Sequence, residues 1–296
     1  MAVKESWGFG LDSEYNRLGA VLLHRPGPEI EEIKNPKAAM HLRHIDLGLL
    51  DDEYSEIIKL YKRNKVQIYF IQDLGNVAKD RLFNLMYARD LFFMTPKGAI
   101  IARMRFKIRR NEPFYAKRLL RKIDVPVRRI IDGSGTFEGA DALWLNKILV
   151  IVGVGNRTNA QGFRQVRNEL KTQGVDCISV PAPSATQHLL GALQFIDTNL
   201  ALIRRRIVDN KLVKFLKEHK ICLIDIPENE EVKKRQAMNV VAVSPGEIIM
   251  PAGCPLTRRI YECNGIKIAA QLKITQLING AGGLACATGI IRRKAS

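Results

Sequence analysis

No CxxC pair occurs among the five cysteines (Cys177, Cys222, Cys254, Cys263, Cys286), and their number is odd. A disulfide framework and a cysteine zinc site are therefore not expected, and a reducing cytoplasm is the default setting. The five histidines are scattered and no HExxH occurs, so no metal centre is expected either. No apolar run approaches the roughly 18 residues of a membrane span, and the opening MAVKESWGFG has no apolar core of a secretory signal. Acidic residues are also scarce, 30 against 47 basic, for a net charge of +17. Such an excess commonly marks a nucleic-acid, ribosomal or other anionic partner. Here the basic residues are dispersed, as in KIRR, LIRRR and VKKRQ, with few aromatics between them. A solvated basic surface is the simpler reading, so nucleic acid is compatible but not favoured, and a membrane partner is not expected.

What is present is a cadence. Five times an amphipathic, helix-like segment ends, a short polar or glycine break follows, and a β-branched run begins. The segments are YKRNKVQIYFI (61–71), LRKIDVPVRRI (120–130), ELKTQGVDCISV (169–180), LKEHKICLIDI (216–226) and YECNGIKIAAQ (261–271). A second set of strands alternates with these: GAVLLHRPG, GAIIARM, KILVIVGVG, NLALIRRR and GEIIMPAG. Five strand–helix–strand units predict an α/β fold built from repeated modules ringed around a centre, each needing its neighbours to bury a face. No proline- or glycine-rich linker divides the chain, so residues 1–296 read as one domain.

Several residues could carry chemistry. INGAGGLACATG (278–289) sets Cys286 in a bed of small residues. A lone cysteine is usually a small hydrophobe, and it becomes a nucleophile only as a thiolate, near positive charge or a base. His188 follows a Pro-Ala-Ser loop at the start of a helical turn. Glu138 and Asp141 flank a turn in GTFEGADALWL, just before an apolar strand. Asp90 interrupts the apolar NLMYARDLFFM and, if buried, must find donors or a cation. Arg157 follows a strand and opens a helix in GVGNRTNAQG. Taken singly, each has an ordinary structural explanation.

Together and in order, HRPGPEI, NLMYARD, IRRNEP, FEGADALWL, GVGNRTNAQG, HLLGAL, IIMPAG and GGLACATG resemble the guanidine-modifying (pentein) superfamily. Its members include arginine deiminases, dimethylarginine dimethylaminohydrolases and amidinotransferases. The likeness runs from about residue 18 to 293. It implies a five-bladed α/β propeller, in agreement with the cadence. It also implies that Cys286 attacks the guanidinium carbon while His188 serves as general acid and base. Glu138 and Asp90 would hold the guanidinium nitrogens. Arg109 and Arg157 would bind a substrate α-carboxylate, and Asn84 and Asp141 would lie near its α-amino group. The implied partner is a small guanidino compound; no cofactor is called for, and a homodimer is compatible. The glycines of GAGGLAC would let backbone approach the substrate.

Three positions depart from the resemblance. Leu190 stands where deiminases and amidinotransferases carry an aspartate two residues after the histidine. Dimethylaminohydrolases also lack that acid, and an apolar wall there suits an N-alkylated guanidine; if Leu190 turns away from the pocket, the change means little. Arg89 stands where bacterial dimethylaminohydrolases often have an acid. Ala285 replaces a histidine common before the deiminase nucleophile. The expected activity is hydrolysis of a guanidino C–N bond of arginine or an N-methylated arginine. Two other readings are an amidinotransferase, in which an amine resolves the intermediate, and a non-catalytic propeller that binds the ribosome.

Overall fold

The computed structural model of the chain describes residues 10–75 and 77–294; most of the MAVKESWGFG opening lies outside them. Each of the five segments found in the sequence is a helix C-terminus entering a parallel strand. The first unit has β1 (Leu18–Leu23), α1 (Leu47–Arg63) and β2 (Gln67–Phe70). The second has β3 (Phe92–Thr95), β4 (Gly98–Ile101), α2 (Glu112–Lys122) and β5 (Val127–Ile130). The third has β6 (Ala142–Asn146), β7 (Leu149–Val154), α3 (Ala160–Lys171) and β8 (Asp176–Pro181). The fourth has β9 (Leu193–Asp197), β10 (Leu200–Ile203), α4 (Asn210–Glu218) and β11 (Cys222–Asp225), and is followed by the short α5 (Glu230–Arg235). The fifth has β12 (Val241–Ser244), β13 (Glu247–Pro251), α6 (Pro255–Cys263) and β14 (Lys267–Leu272). Two short helices, α7 (Thr275–Asn279) and α8 (Leu284–Ala287), then lead to β15 (Gly289–Arg293).

The result is five three-stranded sheets of one topology. In each, an antiparallel pair is extended by a parallel strand reached through a helix, as a crossover connection requires. The C-terminal β15 supplies the missing antiparallel strand of the first sheet by pairing with β1, Val21 opposite Ile290. Neighbouring sheets touch in a closed circuit. β15 meets β3, the turn at 139–141 meets β3, β6 meets β9, and β1 meets β12. The fourth and fifth sheets are joined where Gly246 N donates to Ile196 O and Gln194 Nε2 to Met238 O.

The polar break after each crossover helix has a common geometry. Lys65, Asp124, Gly174, Lys220 and Gly265 all take left-handed φ between 58° and 77°. The residue after each (Val66, Val125, Val175, Ile221, Ile266) donates its N–H back to the helix carbonyl five residues earlier. This closure satisfies helix-end carbonyls and turns the chain into the strand. The β-branched residue is buried in all five cases, so one local motif repeats at every crossover.

Candidate active site

The antiparallel first strand of each sheet is entered by a tight turn, and those five turns carry the site. Asp90 precedes β3, Glu138 precedes β6, His188 precedes β9, Asn239 precedes β12 and Cys286 precedes β15, each within five residues of its strand. Equivalent positions on five modules in a closed circuit converge, which is how residues spread over nearly 200 positions of sequence meet.

A cavity of about 450 Å³ is lined by Asn84, Asp90, Arg109, His188, Leu190 and Cys286 among the residues singled out from sequence. Asn239 and Tyr87 line it too. Three expected residues do not. Glu138 is fully buried beside His188, its Oε2 2.7 Å from His188 Nε2 and 3.3 Å from Arg157 Nη1, while Oε1 accepts from Arg105 N. The resemblance implied a contact with substrate nitrogens; in the structure Glu138 touches the imidazole and does not line this cavity. Asp141 is also fully buried; Oδ1 accepts from Leu189 N at 3.0 Å and Oδ2 from Thr158 Oγ1 at 2.7 Å. Both of its oxygens are engaged by the chain, which ties the His188 turn to Thr158. Arg157 faces a neighbouring cavity, where its guanidinium lies 4.7 Å over the Phe106 ring. Its Nη2 donates to Gln187 Oε1.

Asp90 is buried. Its Oδ2 accepts from Arg109 Nη1 at 2.8 Å, while Oδ1 has no hydrogen-bond partner and lies 3.7 Å from His188 Nδ1. A buried, unpartnered carboxylate oxygen in a cavity wall is costly unless a donor arrives. Arg109 is held on a second side by Glu112, Nε to Oε2 at 2.8 Å. Burial raises Glu112 to about 8, opposed by Arg109. Glu112 was not singled out from sequence, although it lies in the IRRNEP block.

His188 would lose basicity through burial, but Asp90, Glu138 and Asp141 outweigh that and raise it to about 9. The same contact, with Arg109 and Arg157, overcomes the burial of Glu138 and pulls its carboxyl below the usual range. Cys286 moves the other way: burial and the nearby Asp90 push its thiol up to about 11. Opposing this, Asn239 Nδ2 lies 3.1 Å from Sγ, and Asn239 Oδ1 accepts from Ala285 N at 2.6 Å and Cys286 N at 3.3 Å. Asn239 thus fixes the turn and offers the sulfur a donor. Only its place at the fifth strand entrance, in AMNVVAV, could have flagged it.

The small residues before Cys286 make room for their neighbours as well. A Cβ on Gly282 would sit 2.2 Å from the Tyr87 ring, and one on Gly283 2.6 Å from Asn239 Cγ. Gly280, Ala281 and Gly282 also line the cavity wall. Leu190 lies on the cavity wall, and Arg89 does not: it is buried against Glu14, Nη2 2.9 Å from Oε2. Ala285 is buried on the far side of the Cys286 turn, beside that ion pair.

Oxygen or nitrogen atoms of Asp90, Glu138 and His188 lie within 4.8 Å of one another, close enough to share a cation. Arg109 and Arg157 already neutralise these carboxylates, so the charge a metal would answer is met. What the set can do is hold a planar cation against Asp90 beside a sulfur and a charged imidazole.

Comparison with known proteins places the family and the fold. The arginine deiminase family model matches residues 32–215 and 209–293, and the chain belongs to that family, within the pentein superfamily. An arginine deiminase of Borreliella afzelii is 21% identical over 93% of this chain and 95% of its own. Among solved structures, a mutant dimethylarginine dimethylaminohydrolase of Pseudomonas aeruginosa complexed with citrulline superposes with TM-score 0.71 at 20% identity, covering 92% and 98% of the two chains. An amidinotransferase of saxitoxin biosynthesis from Microseira wollei does so with TM-score 0.74 at 17% identity, covering 98% of each. At these identities the two structures attest the fold, a mixed α/β arrangement matching the five sheets described above.

Proposed function

We propose that the chain is a cysteine hydrolase that cleaves a guanidino C–N bond of arginine or an N-methylated arginine, giving citrulline and ammonia or an amine. We read its five sheets as the blades of one five-bladed α/β propeller with the cavity at one end of its axis. The observation that carries the proposal is that Cys286, His188 and Asp90 line one cavity, and that Asp90 keeps one buried carboxylate oxygen, Oδ1, without a hydrogen-bond partner.

The guanidinium donates to Asp90 Oδ1, which supplies the missing partner and brings a positive charge beside Cys286. That charge lowers the thiol from its raised resting value, so Cys286 gives its proton to water in the cavity and the nucleophile forms when substrate is bound. Sγ attacks the guanidinium carbon, and His188, charged through Asp90 and Glu138, protonates the departing nitrogen. A covalent thiouronium remains. His188, now neutral, takes a proton from water as its oxygen adds to the same carbon. Collapse expels Sγ and leaves the urea group of citrulline. Asn239 donates to the sulfur whenever it is anionic. An α-carboxylate would be met by Arg109 in the cavity wall, which Asn84 shares, and by Arg157 reaching in from the neighbouring cavity; each exchanges part of its bonding to Asp90, Glu138 or Gln187 to do so.

Leu190 gives the cavity an apolar flank, which favours a methylated nitrogen over a free one. The test is product analysis with L-arginine and N,N-dimethylarginine, with glycine and ornithine as added acceptors. Citrulline with released dimethylamine or ammonia supports the hydrolase. A new guanidino product on the acceptor makes the second step an amidine transfer, and no product from any substrate rejects the reading. Leu190→Asp should shift kcat/KM toward free arginine relative to dimethylarginine by about tenfold, the ~1.4 kcal/mol of one charge-assisted bond. An unchanged ratio would mean that Leu190 does not touch the reacting group.

A further inference from the structure

Beside the Cys286 cavity lies a second one of about 430 Å³ that the proposed chemistry does not use. The two share Leu42, Lys233 and Gln236 in their walls. The second is lined by Arg43, Lys233, Lys234, Arg235 and Lys273, with no carboxylate among its lining residues. These cations come from three separated stretches: the segment before α1, the end of α5, and the link from β14 to α7.

The nearest acids are already engaged. Glu230 pairs with Lys234 at 2.6 Å. Glu231 is turned inward to Leu256 N and Thr257 N, and Glu53 to Gln276 N and Leu277 N. Arg235 Nη1 donates to Gly253 O. Arg43, Lys233 and Lys273 make no ion pair within 4 Å among the described residues. A helix C-terminus favours basic side chains, which accounts for Lys233, Lys234 and Arg235 but not for Arg43 and Lys273 facing the same space. These side chains are solvent-exposed; like charges gathered around one concavity repel one another to the extent that salt leaves them unscreened, and an anion bound among them relieves that repulsion.

We propose that this cavity is a binding site for a phosphate-bearing small molecule, docked next to the reaction cavity across Lys233. Its size suits a compact polyanion rather than a duplex or a protein face. The phosphate belongs either to a separate effector or to the anionic tail of an extended guanidino substrate. The site follows from charge and shape alone and does not depend on the cysteine chemistry.

Calorimetric titration of the whole chain with inorganic pyrophosphate tests it. Three proteins are compared: the parent, Arg43→Gln/Lys233→Gln/Lys273→Gln, and Lys211→Gln/Lys214→Gln/Lys217→Gln. The last removes the same charge from exposed positions of α4. Saturable binding is expected in the parent and in the α4 variant, with at least a tenfold loss in the first triple variant, and weakening with added salt. No saturable binding in the parent, or an equal loss in both variants, overturns the proposal, because the ion would then be responding to net charge. Circular dichroism of each variant shows that the fold is retained; if the first triple variant unfolds, Lys273→Gln alone, on an exposed link, replaces it with the same criterion. Repeating the titration on Cys286→Ala saturated with L-arginine identifies the source. Unchanged affinity marks a separate effector, and competition marks the tail of a substrate.

Discussion

At the scale of single residues, the resting site is arranged against premature reaction. Cys286 is held as a thiol by burial and by Asp90, while His188 is held charged by two carboxylates. On the proposed mechanism a cation laid on Asp90 relieves the first condition, while His188 stays charged as the proton donor, so the substrate itself makes the nucleophile. Asn239 is the residue that composition and motif did not reveal. Asn239→Ala removes the donor to Sγ and both acceptor contacts to the Cys286 turn. It should lower kcat/KM by about 10- to 100-fold, since a hydrogen bond to a charged group contributes ~1.5–3 kcal/mol, and move the alkaline limb of the profile further up in pH. A loss of rate with an unmoved pH profile would assign Asn239 to the backbone of the turn rather than to the sulfur.

At the scale of elements, the strand-entry turns are the working parts and the crossover helices are scaffold. All five helix-to-strand segments and all five central strands were legible in the sequence, because the left-handed residue followed by Val or Ile recurs at each. The antiparallel strands were not read as a set. VAVS and LQFID are short and abut turns without strong punctuation, and GIIRR is completed only by pairing with β1 across the length of the chain. The same cause hid the hydrogen-bond partners of Glu138, Asp141 and Arg157. Their motifs show which turn they occupy, but burial and existing partners decide whether a side chain reaches substrate or holds another residue. Asp141 illustrates this, since its carboxylate ties the His188 turn to the loop after β7. Asp141→Ala leaves Leu189 N–H and the Thr158 hydroxyl hydrogen without acceptors, at a cost of about 2–4 kcal/mol. The expected result is a lower Tm together with reduced kcat at nearly unchanged KM, and Asp141→Asn should recover part of both. A large rise in KM with normal stability would return Asp141 to the substrate.

At the scale of the whole molecule, the chain closes on itself through β15 and β1, so the nucleophile's turn and the N-terminal strand stabilise each other. The buried charges at the centre give the fold a pH dependence whose sign follows from His188. Its folded value is raised from 6.5 to about 9, so its contribution is fully present below 6.5 and is lost as pH rises through 9. Counted once for the His188–Glu138 pair, this amounts to about 3 kcal/mol. Thermal melts from pH 6 to 9.5 should show Tm falling across that window, and His188→Gln should flatten the slope. A flat profile in the parent would mean that the imidazole is neutral when folded. Among the described residues no helix is long and apolar enough to cross a membrane.

The central claim is that the sulfur of Cys286 becomes bonded to the carbon of a guanidinium. Acid-quenched intact-protein mass spectrometry during turnover of L-arginine and N,N-dimethylarginine measures this directly. The predicted result is a mass increase equal to substrate minus the departing amine, mapped to the peptide containing Cys286 and absent from Cys286→Ala, which should remain folded and inactive. Turnover without any adduct, continuing undiminished in Cys286→Ala, would contradict the account.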